Sequence, residues 1–234
     1  QLGEMAFIQR AVADLFADQP TTRAVFLTRA AESDLADGRA DEAAVALESA
    51  SSASPTYLPA IEQRLRLHLG TSRWPEALRA AIDLGGVVHA PAAKLEAALL
   101  AGDLAEHQVG DEVQAIRCLE QALALDPVND EAFRALRALR EKRAEWAALA
   151  ALLGARVDVA TGARVQSELL WALAQLQRDR LADRVAAKAT LRRLIAIDDA
   201  HLPALRAATA LHREDAQWAE TAELLICMAR IEQD

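Results

Sequence analysis

Aromatic residues make up only 4% of this 234-residue chain, so its interior cannot be built from large rings. With 53% hydrophobic residues, the core has to come from Ala, Leu and Val, and the first two of these favour helix. There are two cysteines, Cys118 and Cys227, too few for a disulfide framework. Both fall within helical patterns, where the expectation is a small buried apolar group and a reducing, cytoplasmic setting. No apolar run approaches about 18 residues, which excludes a membrane-spanning helix. The net charge of −9 argues against nucleic acid as the main partner, because phosphate binding calls for a basic surface. Phosphate loops, dinucleotide fingerprints, HExxH and CxxC are absent, and the five histidines form no ligand set. No catalytic residue, metal or cofactor is therefore expected, and the chain reads as a non-enzyme. It begins at Gln1, which leaves open a leader removed or lying upstream.

What is present is repetition. Trp74, Trp146 and Trp218 stand 72 residues apart. The same interval relates Ala43, Ala115 and Ala187; Leu47, Leu119 and Leu191; Ala60, Ala132 and Ala204; and Leu67, Leu139 and Leu211. The period also divides, since Ala43, Ala77 and Ala115 head similar segments at steps of 34 and 38 residues. Four extra residues are about one helical turn. The spacing places that turn in the first helix of each longer unit.

Each unit reads as two antiparallel helices. In "NDEAFRALRALREKR", Phe133, Leu136 and Leu139 make one stripe, Asn129 offers an N-cap, and Lys142 and Arg143 suit the last turn. A second stripe follows with Trp146, Leu149, Leu152 and Leu153. Turn residues mark the breaks: "DGR" at 37–39, "GTS" at 70–72, "VGD" at 109–111 and "DPVND" at 126–130. No segment alternates with period two, and "GGVV" at 85–88 reads as a loop.

The pattern resembles the tetratricopeptide repeat (TPR) family. The unit at 110–127, "GDEVQAIRCLEQALALDP", carries the resemblance: a Gly110-Asp111 turn, small Ala115 and Ala122 seven apart with Leu119 between them, and a closing Pro127. Departures occur in the alternating unit length and in Leu149, Thr221, Leu65, Arg137 and Thr209, which stand where the family has small residues. The resemblance implies an all-α, right-handed α-solenoid of stacked antiparallel helical hairpins, forming a single array over 1–234. The pairs are expected at 21–54, 55–90, 91–127, 128–160, 161–199 and 200–232. Residues 2–17 align with the second helix of a unit. Either the segment is cut from a longer array or this helix is an N-terminal cap. The tryptophans, starting alternate second helices, are expected to fill space between units, and Trp171 is expected to pack as well.

The resemblance also implies a protein-interaction scaffold whose first helices line a concave groove. Counting back from each Trp selects Glu62, Arg134 and Arg206, then Arg66, Ala138 and Ala210, then Leu69, Glu141 and Arg213. The candidate groove residues are thus Glu62, Arg66, Arg134, Ala138, Arg206, Ala210 and Arg213. Arg64, Arg137, Arg140 and Lys142 are expected to add positive charge there, and His68 and His212, in the column of Arg140, to face solvent or groove. Such a groove would pair with an acidic protein or peptide. The clamp by which relatives grip acidic chaperone termini needs Asn, and Asn129, at a helix start, is the one Asn in the chain. The other reading is a structural spacer or self-assembly segment of a longer array, with self-association in place of a dedicated ligand. The Ala/Arg-rich usage has a bacterial look.

Overall fold

The computed structural model describes residues 2–231, with Leu2 by its backbone alone. Gln1 and residues 232–234 lie outside the described residues, and with them the final residue of the expected 200–232 pair. The chain divides into two compact units, Gln1–Asp126 and Pro127–Asp234. Among the described residues there are thirteen α-helices and no strand.

The first unit contains α1 (Leu2–Leu15), α2 (Pro20–Ala36), α3 (Ala40–Ala53), α4 (Leu58–Gly70), α5 (Trp74–Val87), α6 (Pro91–Asp103) and α7 (Glu112–Leu125). A π-helical turn, Leu104–Val109, continues α6. The second unit contains α8 (Asp130–Lys142), α9 (Trp146–Val159), α10 (Ala163–Asp179), α11 (Arg184–Ile197), α12 (Leu202–Glu214) and α13 (Trp218–Ile231). Within each unit every helix packs on the one before and the one after, as in an α-solenoid, and α2 also meets α4.

The repeated positions are the core. Ala43, Ala115, Ala187, Ala60, Ala132 and Ala204 have no exposed surface, and Leu47, Leu119 and Leu191 are buried beside them. Alanine at a contact lets two helices close up, and the leucine fills the remaining gap. The first helices alternate in length: 17 residues for α2 and α10, against 13 for α4, α8 and α12. In α6 the additional length takes the form of the π-helical turn.

The hairpin turns share one device. Gly38, Ser72, Gly110, Ala144, Ala182 and Ala216 all have φ between 52° and 77°, one in each hairpin. The left-handed residue reverses the chain in two to four residues, so consecutive helices run antiparallel. Side chains cap several of the helices. Asn129 accepts from the Ala132 amide at 2.9 Å, and Asp111 and Asp183 do the same for Gln114 and Ala186.

Three local expectations differ from the structure. Gly85, Gly86 and Val87 complete the last turn of α5, because neither glycine has to leave helical geometry. Cys118 is buried, but Cys227 is exposed, since no helix among the described residues follows α13 to cover it. For the same reason Trp218 is 64% exposed, while Trp74, Trp146 and Trp171 are half-buried.

Candidate functional site

The seven candidate groove residues all lie on the short first helices, and all are exposed: Glu62 and Arg66 on α4, Arg134 and Ala138 on α8, and Arg206, Ala210 and Arg213 on α12. None of them lines any of the five cavities described below. Arg134 turns its Nε back to its own helix, donating to the Asp130 carbonyl at 3.2 Å.

One recess does open on the first-helix side of the second unit. It holds about 400 Å³ between α8 and α10, with α9 as its floor. Arg137 and Glu141 stand on its α8 wall and bond to each other at 2.8 Å. Trp146 forms part of the floor, and the Arg180 guanidinium lies 4.9 Å from its ring centroid, within cation–π range. Arg134 and Ala138 are three residues ahead of Arg137 and Glu141, so they continue the same helical face. Sequence reasoning treated Trp146 as packing alone. Its column of tryptophans was visible, but its position beside Arg180 depends on a contact made between successive hairpins, from α9 to α10.

The other four cavities lie within one unit or the other, each between consecutive second helices. In the first unit a cleft of about 500 Å³ separates α3 from α5, and its floor is Arg64 and His68 of α4. On a helix, positions 64 and 68 point away from 62 and 66, because two residues turn the chain by about 200°. Arg64 is therefore not a groove cation. It is 6% exposed, donates to Glu48 at 3.3 Å and to Asp83, and so ties α3 to α5. His68 is 4% exposed and equally remote from the groove side; burial pushes its imidazole below the ordinary histidine range. The repeat-equivalent cleft in the second unit, about 360 Å³, has Ala208 and His212 in those places. His212 is half-buried, with Nδ1 2.8 Å from Gln217 Oε1.

A further trough of about 420 Å³ adjoins the first cleft, and one of about 430 Å³ lies on the other side of α5. Among the described residues no group of three or more His, Cys, Asp or Glu side chains is placed to hold a metal ion. No helix there is long and apolar enough to cross a membrane.

Neither a protein-family model nor a curated protein matches the chain. Solved structures of helical-repeat proteins are similar to it. A MamA structure is 17% identical over 74% of this chain and 90% of its own, with a TM-score of 0.42. YrrB, described as a TPR protein with an unusual peptide-binding site, is 14% identical over 79% of this chain and 91% of its own, with a TM-score of 0.39. A tetratricopeptide repeat protein from Parabacteroides merdae is 15% identical over 90% of this chain and 78% of its own, with a TM-score of 0.37.

Proposed function

We propose that this chain is a non-catalytic scaffold of the cytoplasm that binds a partner protein or peptide along the exposed faces of its first helices. The observation that supports it best is the α8 surface. There Arg134 and Ala138 lie on the α8 face next to the recess that holds Arg137, Glu141 and Trp146, without lining it. The Trp146 ring on the floor lies among two guanidinium groups, Arg137 and Arg180, and two carboxylates, Glu141 and Asp179, and Arg134 beside the recess tips the face positive, so the expected partner combines an apolar side chain with carboxylates. Bidentate pairing with arginine supplies the geometric selectivity. The reading makes Glu62, Arg66, Arg206, Ala210 and Arg213 further contact positions on α4 and α12.

The test uses the whole chain as bait. A captured partner is then titrated by calorimetry against the wild type and the Arg134→Glu, Arg206→Glu double variant. Loss of affinity on charge reversal supports the basic face, and an unchanged affinity discards it.

A second reading, a spacer that assembles with copies of itself, draws on the apolar side chains that α1 and α13 expose. Phe7 is 71% exposed and Ile226 is 61% exposed. Sedimentation over a range of concentrations decides it: a single monomeric species removes self-assembly.

A further inference from the structure

The middle of the first unit is underfilled relative to its own repeat. At three positions where α10 buries Leu169, Leu170 and Leu173, α6 has Ala97, Ala98 and Ala101. Where α9 buries Val157, α5 has Gly85. The result is the trough of about 430 Å³ between α5 and α7, lined by five alanines and two glycines together with Ile82, Lys94, Cys118, Gln121 and Leu125. Neither Gly85 nor its neighbour Gly86 has positive φ. A Cβ on Gly85 would make an ordinary 3.5 Å contact with Ala97, and one on Gly86 would meet nothing. The equivalent of Gly86 is Asp158 in α9 and Arg230 in α13, so the repeat does not demand glycine there either. Two adjacent glycines weaken a helix, and neither the backbone angles nor the space around them among the described residues requires glycine. They do lower the crest of α5, because Gly86 and Ile82 line the troughs on both of its sides.

The trough on the α3 side mixes apolar and polar groups. Ser51 stands where the other repeats have Leu123 and Ile195; it is 9% exposed, and its hydroxyl has no hydrogen-bond partner. The Nε of buried Arg64, which lines the same trough, is also unpartnered. Glu48 and Asp83 share the single guanidinium of Arg64, which leaves one negative charge in excess around the pair. Unpaired buried donors and acceptors are costly unless something completes them.

From these features we infer a second binding surface, which takes a partner polypeptide segment carrying an aliphatic side chain next to a lysine or arginine. The aliphatic group enters the trough between α5 and α7. The partner backbone crosses α5 at Gly85–Gly86, where no side chain holds it off. The cation meets Glu48 and Asp83. This surface lies on the side opposite Glu62 and Arg66 and prefers the opposite charge, so it stands or falls independently of the first-helix face.

The probes are short acetylated and amidated Ser/Gly peptides whose central pair is Leu-Lys, Leu-Glu, Ser-Lys or Ser-Glu. They are titrated into the full isotope-labelled chain while glycine amide resonances are followed. Saturable shifts at Gly85 and Gly86 with Leu-Lys alone are expected. Gly86→Val, which grows into open space, should weaken that binding about tenfold or more while thermal stability holds or rises. Asp83→Asn should weaken it too, and Arg134→Glu with Arg206→Glu should leave it unchanged. The inference is overturned if no peptide saturates, if Leu-Glu binds as well as Leu-Lys, or if Gly86→Val leaves the affinity intact.

Discussion

Arg39 reaches the carboxylate of Asp34 through two hydrogen bonds, Nη2 at 2.7 Å and Nε at 3.1 Å, and the carboxylate it meets has no exposed surface at all. Arg10 of α1 approaches the second oxygen. One buried acid on α2 thereby fixes the helix before it and the turn after it. A buried carboxylate is tolerable only because both oxygens are paired. Asp34→Asn keeps the shape and removes the charge, leaving two guanidinium groups competing for a neutral amide. The expected loss is about 2–3 kcal/mol of unfolding free energy, read by urea denaturation. It should be accompanied by faster amide exchange in α1, whose attachment through Arg10 is released.

His68 gives the first unit an acid-sensitive term. Burial is the main cause of its lowered pKa; Arg64 and Arg73 act in the same direction, against Glu76 and Glu48. The unfolded chain takes up the proton near the ordinary value of 6.5, and the folded chain does so only at lower pH. Between those two points the unfolded state binds more protons, so stability falls as the pH is lowered below about 6.5 and levels off once the folded pKa is passed. Melting temperatures measured from pH 7.5 to 5 should show this decline, and His68→Gln should flatten it.

Ala144, Ala182 and Ala216 hold left-handed backbone conformations without being glycine, with φ of 53°, 52° and 54°. The methyl group is crowded there by roughly 1–2 kcal/mol, partly offset by the smaller entropy that alanine loses on folding. Each Ala→Gly change is therefore expected to stabilise the chain by about 0.5–1 kcal/mol. Gly38→Ala and Gly110→Ala, at φ of 76° and 77°, should destabilise it by a similar amount. A set of five single variants compared by thermal melting checks both signs at once.

These turns also show what the sequence could convey. The helices were legible because Ala43, Leu47, Ala60, Leu67 and their copies recur at one interval, and a recurrent buried face survives divergence elsewhere. Gly38 and Gly110 announced their turns, whereas Ala144, Ala182 and Ala216 did not, since alanine carries no turn signal. The orientation of charged residues was harder to read. Arg64 and Arg66 look alike on paper, yet two positions of helix put one under Glu48 and Asp83 and the other into solvent. The underfilled middle of the first unit was present in the sequence as Ala97, Ala98 and Ala101 against Leu169, Leu170 and Leu173. Alanine suits a tightly closed helix pair as well as an open trough, so only the spacing of the surrounding helices separates the two.

Trp146 and Trp218 occupy one repeat column, begin equivalent helices, and should respond quite differently to truncation. Trp146 is half-buried in the recess between α8 and α10 and lies under Arg180. Removing its indole deletes apolar contacts on the floor and the cation–π pair together. Trp146→Ala is expected to cost about 2–3 kcal/mol and to loosen the α9–α10 junction. Trp218 is 64% exposed at the start of α13, so its truncation removes little buried surface. Trp218→Ala should stay within about 0.5 kcal/mol of the parent. Urea denaturation of the two variants makes the comparison directly. Equal losses would mean that the column is used alike at both sites, contrary to the burial of the two rings.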